Sequence, residues 1–255
     1  MNKIVVVCLA ALFLVAGCSS REKITSTAQL SGGKEFAIPT GTVADKLVTS
    51  KIPDAKFQYF NTVLDAAMAV KAGKADAAAY DEPILRNIAA KTPGLMVLAE
   101  PITVDEYGFA VKLDDQALKD AIDALVAEAK AGGDYQKMLD RWLPKSGAPG
   151  PMPEITEGTQ GVLRFGTASV TEPFSFVDGT QRVVGLDVEI AARVAQRLNR
   201  KLEIVNLEFG ALIPALIAGK VDVIGACITI TPERAKQVLF SAPYYTGGIS
   251  ALVRQ

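Results

Sequence analysis

The chain has 255 residues, about half of them hydrophobic, with 27 basic and 28 acidic side chains and no histidine. That near-neutral balance, with no basic block interleaved with aromatics, argues against a nucleic-acid partner. Three cysteines and no histidine argue equally against a transition-metal site or a histidine-based catalytic triad, and no cofactor is expected.

At the N-terminus Lys3 precedes an apolar run, Ile4 to Val15, and the small residues Ala16-Gly17 lead to Cys18. The run is too short to span a bilayer, which needs ~20 residues. Leu14-Val15-Ala16-Gly17-Cys18-Ser19-Ser20 resembles a bacterial lipobox. It implies a lipoprotein signal peptide over 1–17, lipidation of Cys18 and a membrane-anchored protein in the periplasm or on the cell surface. The plainer alternative is an ordinary cleaved signal followed by an incidental cysteine. Cys8 lies in the signal, so Cys227 has no disulfide partner and is expected to be a small buried residue.

After a tether over 18–29, the pattern predicts a strand at 34–38 and a helix after Thr40-Gly41-Thr42, with Thr42 as cap and Asp45 in capping-box register. A strand at 57–60, a helix at 63–72 closed by Gly73, and a buried strand at 76–79 follow. Another strand is expected at 107–111, then helices at 115–131 and 135–142 separated by Gly132-Gly133. Proline and glycine make 144–160 a connector. Beyond it the pattern restarts: strand 163–166, an amphipathic helix with Leu186, Ile190, Val194 and Leu198 on one face, strand 202–205, helix 211–218, strand 221–226, a helix after Thr231 and a last strand at 249–253. Strands alternating with helices over short loops mean an α/β fold.

One phrase occurs twice. Val70-Lys71-Ala72-Gly73-Lys74-Ala75-Asp76-Ala77-Ala78 returns about 146 positions later as Leu216-Ile217-Ala218-Gly219-Lys220-Val221-Asp222-Val223-Ile224, too far apart for a solenoid period and suited to two similar lobes. A cleft between lobes is a natural binding site.

Thr231-Pro232 is a helix start, and it places Arg234 in the first turn, where a cation is disfavoured unless an anion binds beside it. The competing reading is a solvated arginine. In the first half the matching strand runs into Asp81-Glu82-Pro83. This puts a carboxylate either at the ligand crevice or in the role of a helix cap. Together, Arg234 and Asp81 would present a cation and an anion to one cleft, the complement of a zwitterion.

Residues 161–253 resemble the first lobe of bacterial family 3 extracellular solute-binding proteins, the amino-acid receptors of ABC importers. The likeness rests on Pro173-Phe174-Ser175-Phe176, Gly185-Leu186-Asp187-Val188, Phe209-Gly210-Ala211-Leu212-Ile213-Pro214, Thr229 to Arg234 and Phe240-Ser241-Ala242-Pro243-Tyr244-Tyr245. Residues 30–143, with Thr40-Gly41-Thr42, Ala75-Asp76, Tyr107-Gly108-Phe109-Ala110-Val111 and Asp134-Tyr135, resemble the second lobe (30–105) and the returning hinge strand and helices (106–143). The resemblance implies a two-lobed, type II periplasmic-binding-protein-like fold. It puts Arg234 on a ligand α-carboxylate, aided by Thr229 and the backbone around Cys227 and Thr42, with Asp81 on the α-ammonium and Phe209 as an apolar wall. Phe209 could equally be ordinary core.

Two departures stand out. Where relatives often carry an acidic residue after Gly-Thr and an aromatic three positions on, this chain has Ala168 and Thr171, which alters the side-chain pocket; Thr171 is expected among the ligand-binding residues, and Glu172 is a candidate to reach the pocket. The second lobe also precedes the first (161–255), as in a circular permutation whose linker joins the old ends. A fragment or two misjoined neighbouring genes is the alternative. The function implied is a monomeric, lipid-anchored receptor that captures an amino acid for ABC permease subunits by hinge closure. Two rivals are a cyclohexadienyl or arogenate dehydratase-like enzyme, with Glu172 or Asp81 as acid or base, and a sensor for a separate membrane partner.

Overall fold

The computed structural model describes residues 23–144 and 147–255; the lipobox and signal expectations, with Cys18, lie outside the described residues. In chain order the first half comprises β1 (Glu35–Pro39), α1 (Ala44–Lys51), β2 (Lys56–Phe60), α2 (Val63–Lys71), β3 (Ala77–Asp81), α3 (Glu82–Lys91), β4 (Leu95–Val97), β5 (Asp105–Tyr107), β6 (Ala110–Val111), α4 (Gln116–Gly132) and α5 (Asp134–Trp142). The second half comprises β7 (Val162–Thr167), β8 (Val170–Thr171), β9 (Ser175–Val177), β10 (Val183–Val184), α6 (Leu186–Arg197), β11 (Lys201–Asn206), α7 (Leu212–Ile217), β12 (Val223–Ile224), α8 (Pro232–Ala235), β13 (Leu239–Phe240), β14 (Tyr245–Gly247) and β15 (Ile249–Arg254).

Two five-stranded sheets result, ordered β2-β1-β3-β15-β4 and β11-β7-β12-β6-β13. Within each, three strands of one half run parallel, and a strand from the other half enters antiparallel: β15 beside β3, and β6 beside β12. Each half thus completes the other's sheet. The two crossing segments pair as an antiparallel ribbon, β5 with β14, Tyr107 opposite Tyr245. Gly248 links β14 to β15 at φ 153, and a Cβ there would lie 2.0 Å from the Thr103 carbonyl oxygen, so the second crossing requires glycine.

The burial patterns follow from position in the sheet. β3 is buried throughout, and Ala77-Ala78-Ala79 gives it small side chains on both faces, where helices cover the sheet. The predicted stripe on α6 is buried except for Leu198, which is partly buried. Two acids on the same helix, Asp187 and Glu189, are fully buried as well. Glu189 accepts from Arg141 (2.7 Å), Arg193 (2.7 Å) and the Trp142 indole (2.7 Å), tying α5 to α6 across the two halves of the chain.

Some expected elements differ. The strand at 107–111 is split into β5 and β6. Gly108 sits at the break, where a Cβ would press on Ile230 and Phe240, and its N–H goes to the Ile228 carbonyl. The strand at 221–226 shrinks to β12, and the helix after Thr231 is a single turn. The capping box at α1 is absent. Thr42 Oγ1 donates to the Pro39 carbonyl and accepts weakly from Ala44, while Asp45 accepts from Lys46. The connector has no helix or strand over 147–161, and it lies against its neighbours through Gly150 to Arg141 and Gly158 to Arg200 backbone bonds.

Candidate functional site

β3 delivers Asp81 to the edge of the cleft. The residue directly precedes α3, yet its side chain makes no capping bond; its carboxylate instead accepts from the Tyr107 hydroxyl. The helix-cap alternative is therefore excluded. That hydroxyl also accepts from the Gly248 N–H at 3.1 Å, so a single tyrosine joins the Asp81 carboxylate to both crossing segments. Tyr107 is held by stacking on Tyr245 and by an edge contact with Phe174. Burial pushes the Asp81 carboxyl up to about 7, although the Tyr107 hydrogen bond and the Arg234 charge pull the other way.

Arg234 comes from the other half. Thr231 caps the single turn of α8 by accepting the Arg234 N–H, and Pro232 fixes the first helical position. The guanidinium is drawn inward, donates to the Thr229 carbonyl at 3.0 Å and lies 5.5 Å from the Phe209 ring centroid. At 8% exposure it is not a solvated arginine. Burial lowers its pKa, while the Asp81 charge opposes that shift. Among the described residues neither Asp81 nor Arg234 forms a side-chain ion pair.

The loop carrying Thr229 is built on a buried carboxylate. Asp187 accepts the Cys227 N–H at 3.0 Å, holding Cys227 at φ 52, a left-handed conformation uncommon for a residue with a side chain. Burial pushes Asp187 up to about 7, with the Tyr244 hydroxyl and the Cys227 amide acting against it. Asp187 Oδ1 and the Tyr244 hydroxyl are otherwise without a well-formed hydrogen bond. The Cys227 thiol is buried and pushed up by that burial, which makes it an inert packing group.

Asp81, Arg234, Thr229, Phe209, Thr42 and Cys227 line one space between the two sheets, together with Tyr80 and Ile249. Thr171 does not. Its hydroxyl donates to the Ala168 carbonyl at 3.0 Å and sits a layer behind, beside the Cys227 thiol. Glu172 points elsewhere and pairs with Lys91 at 2.6 Å, bridging the two halves outside the site. The halves meet again where Gly41 faces Gly210. A Cβ on Gly41 would lie 2.8 Å from the Gly210 Cα, so this contact is backbone on backbone. In the sequence Tyr107 is only part of a strand, and its role is hidden because both of its partners are distant in the chain.

Two α/β lobes that exchange strands, with a cation from one and an anion from the other in the cleft between them, have the fold of the type II periplasmic-binding-protein kind. The family model of the bacterial extracellular solute-binding proteins, family 3, matches residues 163–255 of this chain. Among curated relatives, a putative ABC transporter arginine-binding protein of Escherichia coli K12 is 39% identical over 32% of this chain and 34% of its own length. The arginine-binding extracellular protein ArtP of Bacillus subtilis is 38% identical over 36% and 35%. The glutamine-binding protein GlnH of B. subtilis is 29% identical over 48% and 44%. The alignments therefore span about a third to under half the length of these relatives. Among solved structures, the arginine-bound form of domain 1 from TmArgBP is 41% identical, covering 37% of this chain and 80% of that one, with a TM-score of 0.33.

Proposed function

We propose that the protein captures a free amino acid outside the cytoplasm and presents it to the membrane subunits of an ABC importer, held to the membrane by a lipid on Cys18. The relatives it matches are named as amino-acid-binding proteins of ABC transporters, including arginine- and glutamine-binding ones. The observation that carries the reading is the pair Asp81 and Arg234. They are buried on opposite sides of one cleft, and among the described residues neither forms a side-chain ion pair. A ligand ammonium against Asp81 and a ligand carboxylate against Arg234 would satisfy both charges, and only with the lobes closed. The ligand would then shift the population toward the closed form. The backbone contact of Gly41 with Gly210 and the Lys91–Glu172 bridge are contacts of that closed form.

The chain order is read as a circular permutation, second lobe before first. Each sheet needs one strand from the other half, so cutting one crossing and joining the old ends through 144–160 would keep the contact set. A dehydratase-like activity finds less support, since Glu172 is paired away from the cleft and Asp81 is engaged by Tyr107.

Calorimetry with Arg234→Ala tests the reading. Truncation strands a ligand carboxylate in a desolvated cleft and should weaken binding by ~2–5 kcal/mol. Unchanged affinity would remove Arg234 from the site.

A further inference from the structure

On the reading just given, both charged side chains lining the cleft are committed to the ligand's own two ends. What remains of the lining is Thr42, Val43, Ala44, Phe209, Cys227, Thr229 and Ile249, with the Tyr80 hydroxyl kept protonated by burial. No ionised group is left for a ligand side chain.

The positions that could have supplied a third charge do not. Ala168 is 1% exposed and packs in the core behind the second sheet. Thr171 spends its hydroxyl on the Ala168 carbonyl, with the Ser175 carbonyl at 3.3 Å. Glu172 is neutralised by Lys91 outside the lining. Asp187 stands behind the Cys227 backbone and is not on the lining.

A neighbouring space between Phe209, Leu212 and Arg234, under the Gly41–Gly210 contact, is otherwise lined by Ile213 and Ile228 and adds no further charged group.

We infer that this site takes a zwitterionic α-amino acid with an uncharged side chain and excludes arginine, lysine and glutamate. A charged side chain closed into this lining would be buried without a partner, which costs several times the energy of an ordinary polar mismatch. The inference rests on the two-charge reading of Asp81 and Arg234.

The test is thermal shift followed by calorimetry on the full chain with glycine, L-alanine, L-serine, L-glutamine, L-leucine, L-arginine, L-lysine and L-glutamate. At least one of the five uncharged amino acids should bind, and each of the charged three should bind at least about tenfold more weakly than the best of them. Arginine, lysine or glutamate binding as tightly as the best of the uncharged five would overturn the inference while leaving the two-charge reading standing. Binding of none would overturn both.

Discussion

The two copies of the Ala-Gly-Lys phrase lead into opposite chemistry. After the first copy, β3 runs unbroken to Asp81 and the chain turns at once into the ten-residue helix α3. After the second, β12 stops at Ile224, and the chain crosses a loop through Cys227 and Thr229 before reaching the single turn that holds Arg234. The difference lies in what can be placed at a strand end. A short carboxylate can sit at the tip of a buried strand if a hydroxyl reaches it, as Tyr107 does. A guanidinium needs a longer approach, and the loop that provides it is anchored by the buried Asp187. One motif, repeated, delivers opposite charges to one cleft because the segments after it differ.

Removing each charge should separate the two arms. Asp81→Asn should weaken binding of a zwitterion by ~2–5 kcal/mol, as Arg234→Ala does. The stability effects should diverge, because asparagine removes a buried carboxylate whose ionisation opposes folding. Melting of ligand-free Asp81→Asn above pH 7 should occur at or above the wild-type temperature, and a lower one would contradict the burial argument. Next in size is the anchor of the longer arm. Asp187→Ala leaves the Cys227 N–H buried without an acceptor, an expected loss of ~1–3 kcal/mol in denaturant unfolding. Asp187→Asn, which can keep the acceptor, should recover part of it. Tyr107→Phe strips Asp81 of its donor and Gly248 of its acceptor, and should cost about as much or slightly less, with affinity falling as well. The Lys91–Glu172 bridge is largely exposed on the lysine side, so Lys91→Ala should change affinity by less than ~1 kcal/mol.

The pH dependence has an unusual sign. In the folded protein Asp81 and Asp187 hold their protons to about 7, against 3.8 as the ordinary value. Between those values the folded state binds more protons than the unfolded one, so these two groups make stability fall as pH rises through that window. Flattening of this slope in Asp81→Asn and Asp187→Asn, measured by denaturant unfolding from pH 4 to 7.5, is the expected outcome. With Asp81 holding the ligand ammonium in its ionised form, as proposed, affinity should drop by up to about tenfold per pH unit below 7.

Much of this was legible in the sequence where the signal is local. Thr231-Pro232 announced the helix start that positions Arg234, and the repeated phrase announced the two lobes. Asp81 could be placed at a strand end, although not separated from a capping role, because capping geometry depends on where the side chain turns. What sequence could not disclose depends on pairing across the molecule. The extent of β12 is set by its partner β6 from the other half. Asp187 and Glu189 read as ordinary first-turn acids, and only the packing of α6 against the second sheet and α5 buries them. The motif position of Thr171 points to a pocket residue, while its hydroxyl is turned to a backbone carbonyl.

The central claim is that Asp81 and Arg234, from opposite halves of the chain, hold the two ends of one ligand. A crossed calorimetric cycle tests it most directly, with L-alanine, propionate and ethylamine against the wild type, Asp81→Asn and Arg234→Ala. The account predicts that removing the ammonium costs much in wild type and little in Asp81→Asn, and that removing the carboxylate costs much in wild type and little in Arg234→Ala. Equal losses in all three proteins, with no coupling between ligand group and side chain, would contradict it.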